Sequence, residues 1–155
     1  MNALVLYESK YGNTERVAEA IALALQQSLP TRLAAVGEID DCEEALRGLG
    51  LLVVGGPTHR HGVSPILHET LECLGGHALE GIAVATFDTR LHGMRIVTGS
   101  AAVRLARLLR HHGARIVVAP ESFLVEGAEG PLDAGELEHA REWVAEILEA
   151  VAALA

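Results

Sequence analysis

Aromatic side chains are scarce: Tyr7, Tyr11, Phe87, Phe123 and Trp143 are the only ones in 155 residues. Half the chain is hydrophobic, so a core of ordinary size is available, but it must be mostly aliphatic. Cysteine is nearly absent. Cys42 and Cys73 are the only two and form no CxxC pair, which argues against a disulfide framework and suits a reducing cytoplasm. No apolar run approaches the roughly 20 residues that span a bilayer, so membrane insertion is not expected. Met1-Asn2-Ala3-Leu4 lacks a basic n-region and runs straight into an apolar segment, so no signal peptide is read and a cytoplasmic location is expected. Positive charge is also in deficit, with 12 Lys and Arg against 21 Asp and Glu, a formal charge of −9. Such a surface repels phosphate backbones and anionic lipid heads, which argues against nucleic acid and favours a basic protein partner. The length fits one domain, residues 1–155, as a monomer or homodimer.

What is present is an alternation of short apolar runs with helical patterns. Ala3–Tyr7 is a continuous apolar run of strand length, followed by helical spacing of Val17, Ala20, Ile21, Ala24 and Leu25 within Asn13–Leu29. Arg32–Val36 is a second strand and Glu43–Leu49 a short helix. Leu51–Val54 is a third strand, stopped by Gly55-Gly56-Pro57. Ser64 caps a helix over Ile66–Leu74 whose first residue is Pro65. Ile82–Phe87 is the fourth strand, Ser100–His112 a helix stopped at Gly113, and Arg115–Ala119 the fifth strand, with Ser122–Val125 as its continuation past Pro120. A last helix covers about Ala134–Leu154. Strands that are apolar throughout and alternate with helices imply an α/β fold, a parallel sheet buried on both faces. Ligands of such sheets bind beyond the strand carboxyl ends, where strand order reverses. Attention therefore falls on the segments after strands one, three and four.

After strand one comes Ser9-Lys10-Tyr11-Gly12-Asn13-Thr14. A helix N-terminus offers unpaired N–H groups and a partial positive charge, Ser9 and Thr14 add hydroxyls, and Gly12 lets an anion approach the backbone. The plainer reading is that Ser9, Asn13 and Thr14 cap a helix and Gly12 makes its turn. Two other phosphate motifs, GxGxxG and GxxxxGK[ST], are absent. After strand three comes Pro57-Thr58-His59-Arg60-His61-Gly62, and after strand four Phe87-Asp88-Thr89-Arg90-Leu91-His92-Gly93. Judged singly, Arg60 and His61 read as a solvated loop and Phe87 as a core-facing strand end. Glu121 and Ser122 are further candidates near the same sheet edge.

These loops resemble those of the flavodoxin family, whose first loop, [ST]-x-T-G-x-T, wraps the phosphate of flavin mononucleotide (FMN). Ser9, Gly12 and Thr14 match that pattern, while Tyr11 replaces its threonine. Similar S-x-Y-G-x-T loops occur in menaquinone-dependent protoporphyrinogen dehydrogenases. Gly55-Gly56-Pro57-Thr58-His59 is similar to the stretch that follows the family's third strand along the flavin ring, and His59 falls where an aromatic often stacks. The resemblance implies a three-layer sandwich with a five-stranded parallel sheet in the order 2-1-3-4-5. It implies FMN as cofactor, held by Ser9 to Thr14, Pro57 to Gly62, Phe87 to Arg90 and Gly93. Backbone amides between Thr89 and Gly93 are the expected partners of the ring edge. This chain lacks the tyrosine or tryptophan that completes the family's aromatic sandwich.

Counted over Pro57–Gly62 and Phe87–Gly93, Arg60, Arg90 and Asp88 leave a small positive balance, with His59, His61 and His92 able to add to it. Positive charge favours a reduced, anionic flavin, so bound FMN is expected to be a weaker reductant than in flavodoxins whose rings are surrounded by acids. Several other classes are disfavoured. A two-component receiver domain needs an aspartate where Gly55-Gly56-Pro57 stand, although Glu8 suits its first acidic site. GxSxG is absent, and Cys42 lies in an acidic segment that would not activate a thiol. His111 and His112 are adjacent on a helix and cannot share a metal, and His59 and His61 have no further ligand near in sequence. Three functions remain: an electron carrier with a redox partner protein, a small FMN oxidoreductase acting on a quinone or porphyrinogen, or a binding module that has lost FMN. No long insertion interrupts strand five to enclose a substrate, which favours the carrier.

Overall fold

A computed structural model describes residues 1–59, 62–73, 77–94 and 99–154. In chain order it contains β1 (Asn2–Tyr7), α1 (Asn13–Gln26), β2 (Thr31–Ala35), a 3-10 turn (Val36–Glu38) and α2 (Cys42–Leu46). Then follow β3 (Leu49–Pro57), α3 (Pro65–Glu72), β4 (Ala83–Leu91), α4 (Ala101–Arg110), β5 (Arg115–Ile116), β6 (Glu121–Val125) and α5 (Glu136–Ala152). The strands are parallel and ordered β2-β1-β3-β4-β5, and β6 also pairs with β4. The order reverses at β1 and β3, which places the crevice expected of an open α/β sheet beyond those two strands.

Alternation along each strand sends successive side chains to opposite faces. Val5, Tyr7, Leu51, Val53, Ala85 and Phe87 join the core formed with α1 and α5, while Leu4, Leu6, Leu52, Val54 and Val84 join the core formed with α3 and α4. The scarce aromatics are concentrated on the first face. Phe87 lies edge-on to Phe123 and Trp143, with ring centroids 6.0 and 6.1 Å away. That is the spacing at which edge-to-face pairs attract.

Several boundaries differ from the sequence reading. β3 continues to Pro57 because Gly55 and Gly56 remain in the ladder opposite Phe87 and Asp88. Gly55 faces the Phe87 ring so closely that a Cβ there would overlap it. The residue therefore serves packing and not only the turn. The fifth sheet position holds two short strands, β5 and β6, in line beside β4. Pro120 between them has no N–H to donate to a ladder. The cysteines also depart from expectation: Cys42 and Cys73 are joined as a disulfide between α2 and the end of α3. Lack of a CxxC pair said nothing about residues 31 apart in sequence, whose Cα atoms the fold brings to 6.5 Å.

Candidate functional site

The turn from β1 into α1 is built around Gly12, whose φ of 91° lies in the left-handed region that side chains resist. The Ser9 hydroxyl oxygen accepts the Gly12 N–H at 3.1 Å and the Glu15 N–H at 3.3 Å. It thereby folds the loop back onto the first turn of α1 and keeps its own proton available to donate. Among the described residues, no acceptor reaches the amides of Lys10, Tyr11, Asn13 or Thr14. Four N–H groups left open at a helix N-terminus form a cradle for an anion. Thr14 is buried and its hydroxyl lies 2.8 Å from that of Thr89, which ties the cradle to the end of β4. The Asn13 side chain donates to the Glu129 carbonyl at 3.1 Å and so fastens the loop after β6 beside the cradle.

Tyr7 ends β1 directly below this turn. Its hydroxyl donates to Glu15 Oε2 at 3.1 Å. Burial, then the Glu15 hydrogen bond and the charges of Glu15, Glu38 and Glu19, push the phenol up to about 12. Tyr7 thus remains a neutral donor that engages the only carboxylate in the first turn of α1.

The ends of β3 and β4 are locked by a buried carboxylate. Asp88 Oδ2 accepts from the Ser100 hydroxyl at 2.5 Å, the Ala102 N–H at 3.1 Å and the Thr58 hydroxyl at 3.3 Å. The Thr58 oxygen in turn accepts the Ala101 N–H at 3.1 Å. Asp88 and Thr58 therefore bind the N-terminus of α4, where a negative charge is favoured, and fix the departure of the loop after β3. Beyond them, His59 and Gly62 exchange two backbone hydrogen bonds of 2.7 and 2.8 Å. Thr58 N–H donates to the Thr89 carbonyl at 2.9 Å.

A solvent-open groove of about 250 Å³ runs between these segments. Ser9, Lys10, Tyr11, Asn13 and Thr14 line one end, Pro57, Thr58 and His59 one wall, and Thr89 and Arg90 the other. Three loops distant in sequence therefore meet at one sheet edge. Leu91, Val125 and Ala128 complete the lining and were not singled out from sequence. Leu91 is 46% exposed and Tyr11 49%, so both present apolar surface at the groove. The signal that could have found Leu91 is an apolar side chain placed where a buried strand meets solvent.

Some expected contacts fall elsewhere. Phe87 is fully buried on the α1 and α5 face, against Phe123 and Trp143, so it cannot touch a ligand in the groove. Asp88 is fully buried under α4, so its carboxylate does not line the groove. Phe87 takes the core-facing strand end that its plainer reading gave it, and Asp88 is buried because β4 runs four residues past Phe87 through what was read as loop. For the same reason Thr89, Arg90 and Leu91 are strand residues paired with Phe123, Leu124 and Val125. Gly93 accepts a 2.7 Å hydrogen bond from the Arg90 guanidinium through its carbonyl. Gly62 is buried and bridges to His59, while Arg60 and His61 lie outside the described residues. Glu121 and Ser122 belong to β6 and do not line the groove. His92 pairs with Asp133 at 2.7 Å.

A family model for flavodoxins matches residues 5–143, nearly the whole chain. The chain belongs to the flavodoxin family. Oxidised flavodoxin 1 from Bacillus cereus superposes with a TM-score of 0.81 at 16% identity, covering 96% of this chain and 98% of that one. A flavodoxin from the domain Archaea gives 0.76 at 20% identity, covering 97% and 99%. The rubredoxin oxygen:oxidoreductase of Desulfovibrio gigas gives 0.77 at 18% identity, covering 98% of this flavodoxin-family chain but 36% of that one. At such identities these likenesses show a shared fold. No curated protein matches the sequence.

Proposed function

We propose that this flavodoxin-family protein binds FMN in the groove at the ends of β1, β3 and β4 and carries electrons between partner proteins. The observation that supports it most is the set of open amides at Lys10, Tyr11, Asn13 and Thr14, a donor set suited to a phosphate dianion. When bound, FMN supplies reversible electron uptake at its ring. The chain's own residues do the rest. Ser9 and Thr14 present hydroxyls to the phosphate, and Gly12 gives the backbone close approach. His59 and Leu91 stand on the two walls where a ring would lie, in place of the family's large aromatics. Among the described residues, Lys10 and Arg90 are the charged side chains lining the groove, and none of the described lining residues is a carboxylate.

The carrier reading is preferred to substrate turnover because the groove, as lined by the described residues, is small and open to solvent. Ligand sites that exclude water are deeper and bury most of the ligand. A single domain over residues 1–155, in the cytoplasm and as a monomer or homodimer, is part of the same proposal. The test is direct. Purified protein is mixed with excess FMN, desalted, and its visible absorption and flavin fluorescence recorded, with riboflavin in parallel. Retention of FMN but not riboflavin supports the phosphate cradle. Retention of neither means that the fold has kept its shape without the cofactor.

A further inference from the structure

The twelve Lys and Arg are not spread evenly. Between Thr89 and Pro120 the sequence has six arginines (Arg90, Arg95, Arg104, Arg107, Arg110 and Arg115) and no Asp or Glu. That segment is +6 within a chain of −9, which leaves −15 for the remainder. The molecule is therefore strongly polarised, and its positive part includes one wall of the flavin groove.

α4 displays that charge on its surface. Arg104 and Arg107 are exposed three residues apart, with His111 one turn further on the same face. Among the described residues, neither arginine pairs with a carboxylate. The placement of Arg104 is built into the fold. Its stem lies so close over Gly62 that a Cβ there would come within 2.8 Å of Arg104 Cδ. A groove of about 570 Å³ runs between this face and α3, floored by Val63, Pro65 and Leu108 and edged by His59 and His68. His59 borders both this groove and the flavin groove.

We propose that this cationic groove docks an acidic protein surface, that of the electron-transfer partner, a reading that rests on the flavin site above. The overall charge of −9 suggested a basic partner, but docking responds to local charge. Among the described residues this groove's lining carries Arg104 and Arg107 and no carboxylate, with His68 at its edge paired to Glu72. Carboxylates seated against Arg104 and Arg107 would be desolvated over the apolar floor, while the acidic remainder of the chain would repel the same partner elsewhere. Such an arrangement steers one orientation and speeds encounter. It brings the partner to the strand ends, next to the groove assigned to FMN.

The test uses fluorescein-labelled octaglutamate, with octalysine and decathymidylate as comparison probes, followed by anisotropy on FMN-free and FMN-saturated protein. Octaglutamate should bind, and its affinity should fall about tenfold or more between about 20 and about 200 mM salt. The R104E/R107E variant should lose about tenfold or more, R104Q/R107Q less, and R32E on the opposite edge nothing, with circular dichroism confirming the fold. In the FMN-loaded protein, R104E/R107E should also slow electron delivery to ferricyanide and hasten delivery to a cationic cobalt(III) complex. Octaglutamate binding that ignores the α4 substitutions overturns the proposal. So does tighter binding of decathymidylate at the same arginines, or self-association in sedimentation that R104E/R107E abolishes, since the acidic face would then be a second copy's. Octaglutamate binding without FMN retention would instead refute the flavin reading and with it the partner's electron-transfer role, leaving the cationic groove as a docking site for an acidic surface.

Discussion

The hydroxyls of Thr14 and Thr89 lie 2.8 Å apart, buried, and join the first turn of α1 to the end of β4 across 75 residues of sequence. The bond fixes the cradle relative to the groove wall. Thr14→Val removes both a hydroxyl in the cradle and the partner of Thr89, so it should weaken FMN binding about tenfold, the equivalent of one to two hydrogen bonds. Thr89→Val removes only the tie and should cost less. Calorimetric titration with FMN and riboflavin checks the assignment: Thr14→Val should erode the preference for FMN, and an unchanged preference contradicts a role at the phosphate.

Gly55 and Phe87 face each other across the β3–β4 ladder, and a methyl group on Gly55 would overlap the ring. Gly55→Ala should destabilise the fold by about 1–3 kcal/mol, the usual cost of overpacking a filled core. Phe87→Leu in the same chain should recover part of that loss, because the smaller side chain yields the space. Urea unfolding of the two single variants and the double variant measures the coupling. Strictly additive losses would show that the glycine is required for some other reason.

Asp88 draws Thr58, Ser100 and the amide of Ala102 to one buried oxygen. Asp88→Ala leaves those donors without their acceptor and should cost about 2–3 kcal/mol, as expected for hydrogen bonds to a charged group. Thr58→Val should cost about 1 kcal/mol and leave α4 capped by Ser100. Hydrogen exchange would distinguish the two. Asp88→Ala should expose amides at the start of α4 as well as around His59, and Thr58→Val chiefly those around His59.

These three relationships show what the sequence made legible. Apolar runs and their caps located the layers, because strands buried on both faces read the same wherever they lie in the sheet. The Ser9–Thr14 loop was legible because an open helix N-terminus has a local signature in glycine and hydroxyl residues. The ends of β3 and β4 were not. Gly55 and Asp88 take their roles from neighbours across the ladder and from α4, and nothing in their own neighbourhood says that strand continues through them. The pairing of Cys42 with Cys73 is a property of tertiary distance in the same way.

Tyr7 gives the fold an alkaline sensitivity. Its phenol is raised to about 12 in the native state, against about 10 in an unfolded chain. The native state therefore holds a proton that the unfolded state releases between those values. The stabilisation is complete below pH 10 and is lost as the pH rises through 12. With the partial solvent access of the hydroxyl allowed for, the loss should be on the order of 1 kcal/mol. Tyr7→Phe should flatten this part of the stability profile. Urea midpoints between about pH 9 and about pH 11.5 would show it, and identical slopes in the two proteins would assign the loss to other groups.

Among the described residues, Lys10 and Arg90 line the groove and no carboxylate does, while Asp88 lies buried behind Thr58. A reduced and anionic flavin gains from such neighbours, so the bound cofactor should be a weaker reductant than in flavodoxins with acidic surrounds. Arg90→Glu should move the potential of the bound FMN to more negative values. Lys10→Glu should do so less and should also weaken binding, because Lys10 belongs to the phosphate loop. Salt should attenuate both shifts, since an open groove is screened. Spectroelectrochemical titration of the wild type and both variants at low and high salt measures all of this. A strongly negative wild-type potential, unmoved by Arg90→Glu, would mean that the field of the remaining −15 outweighs the local arginines.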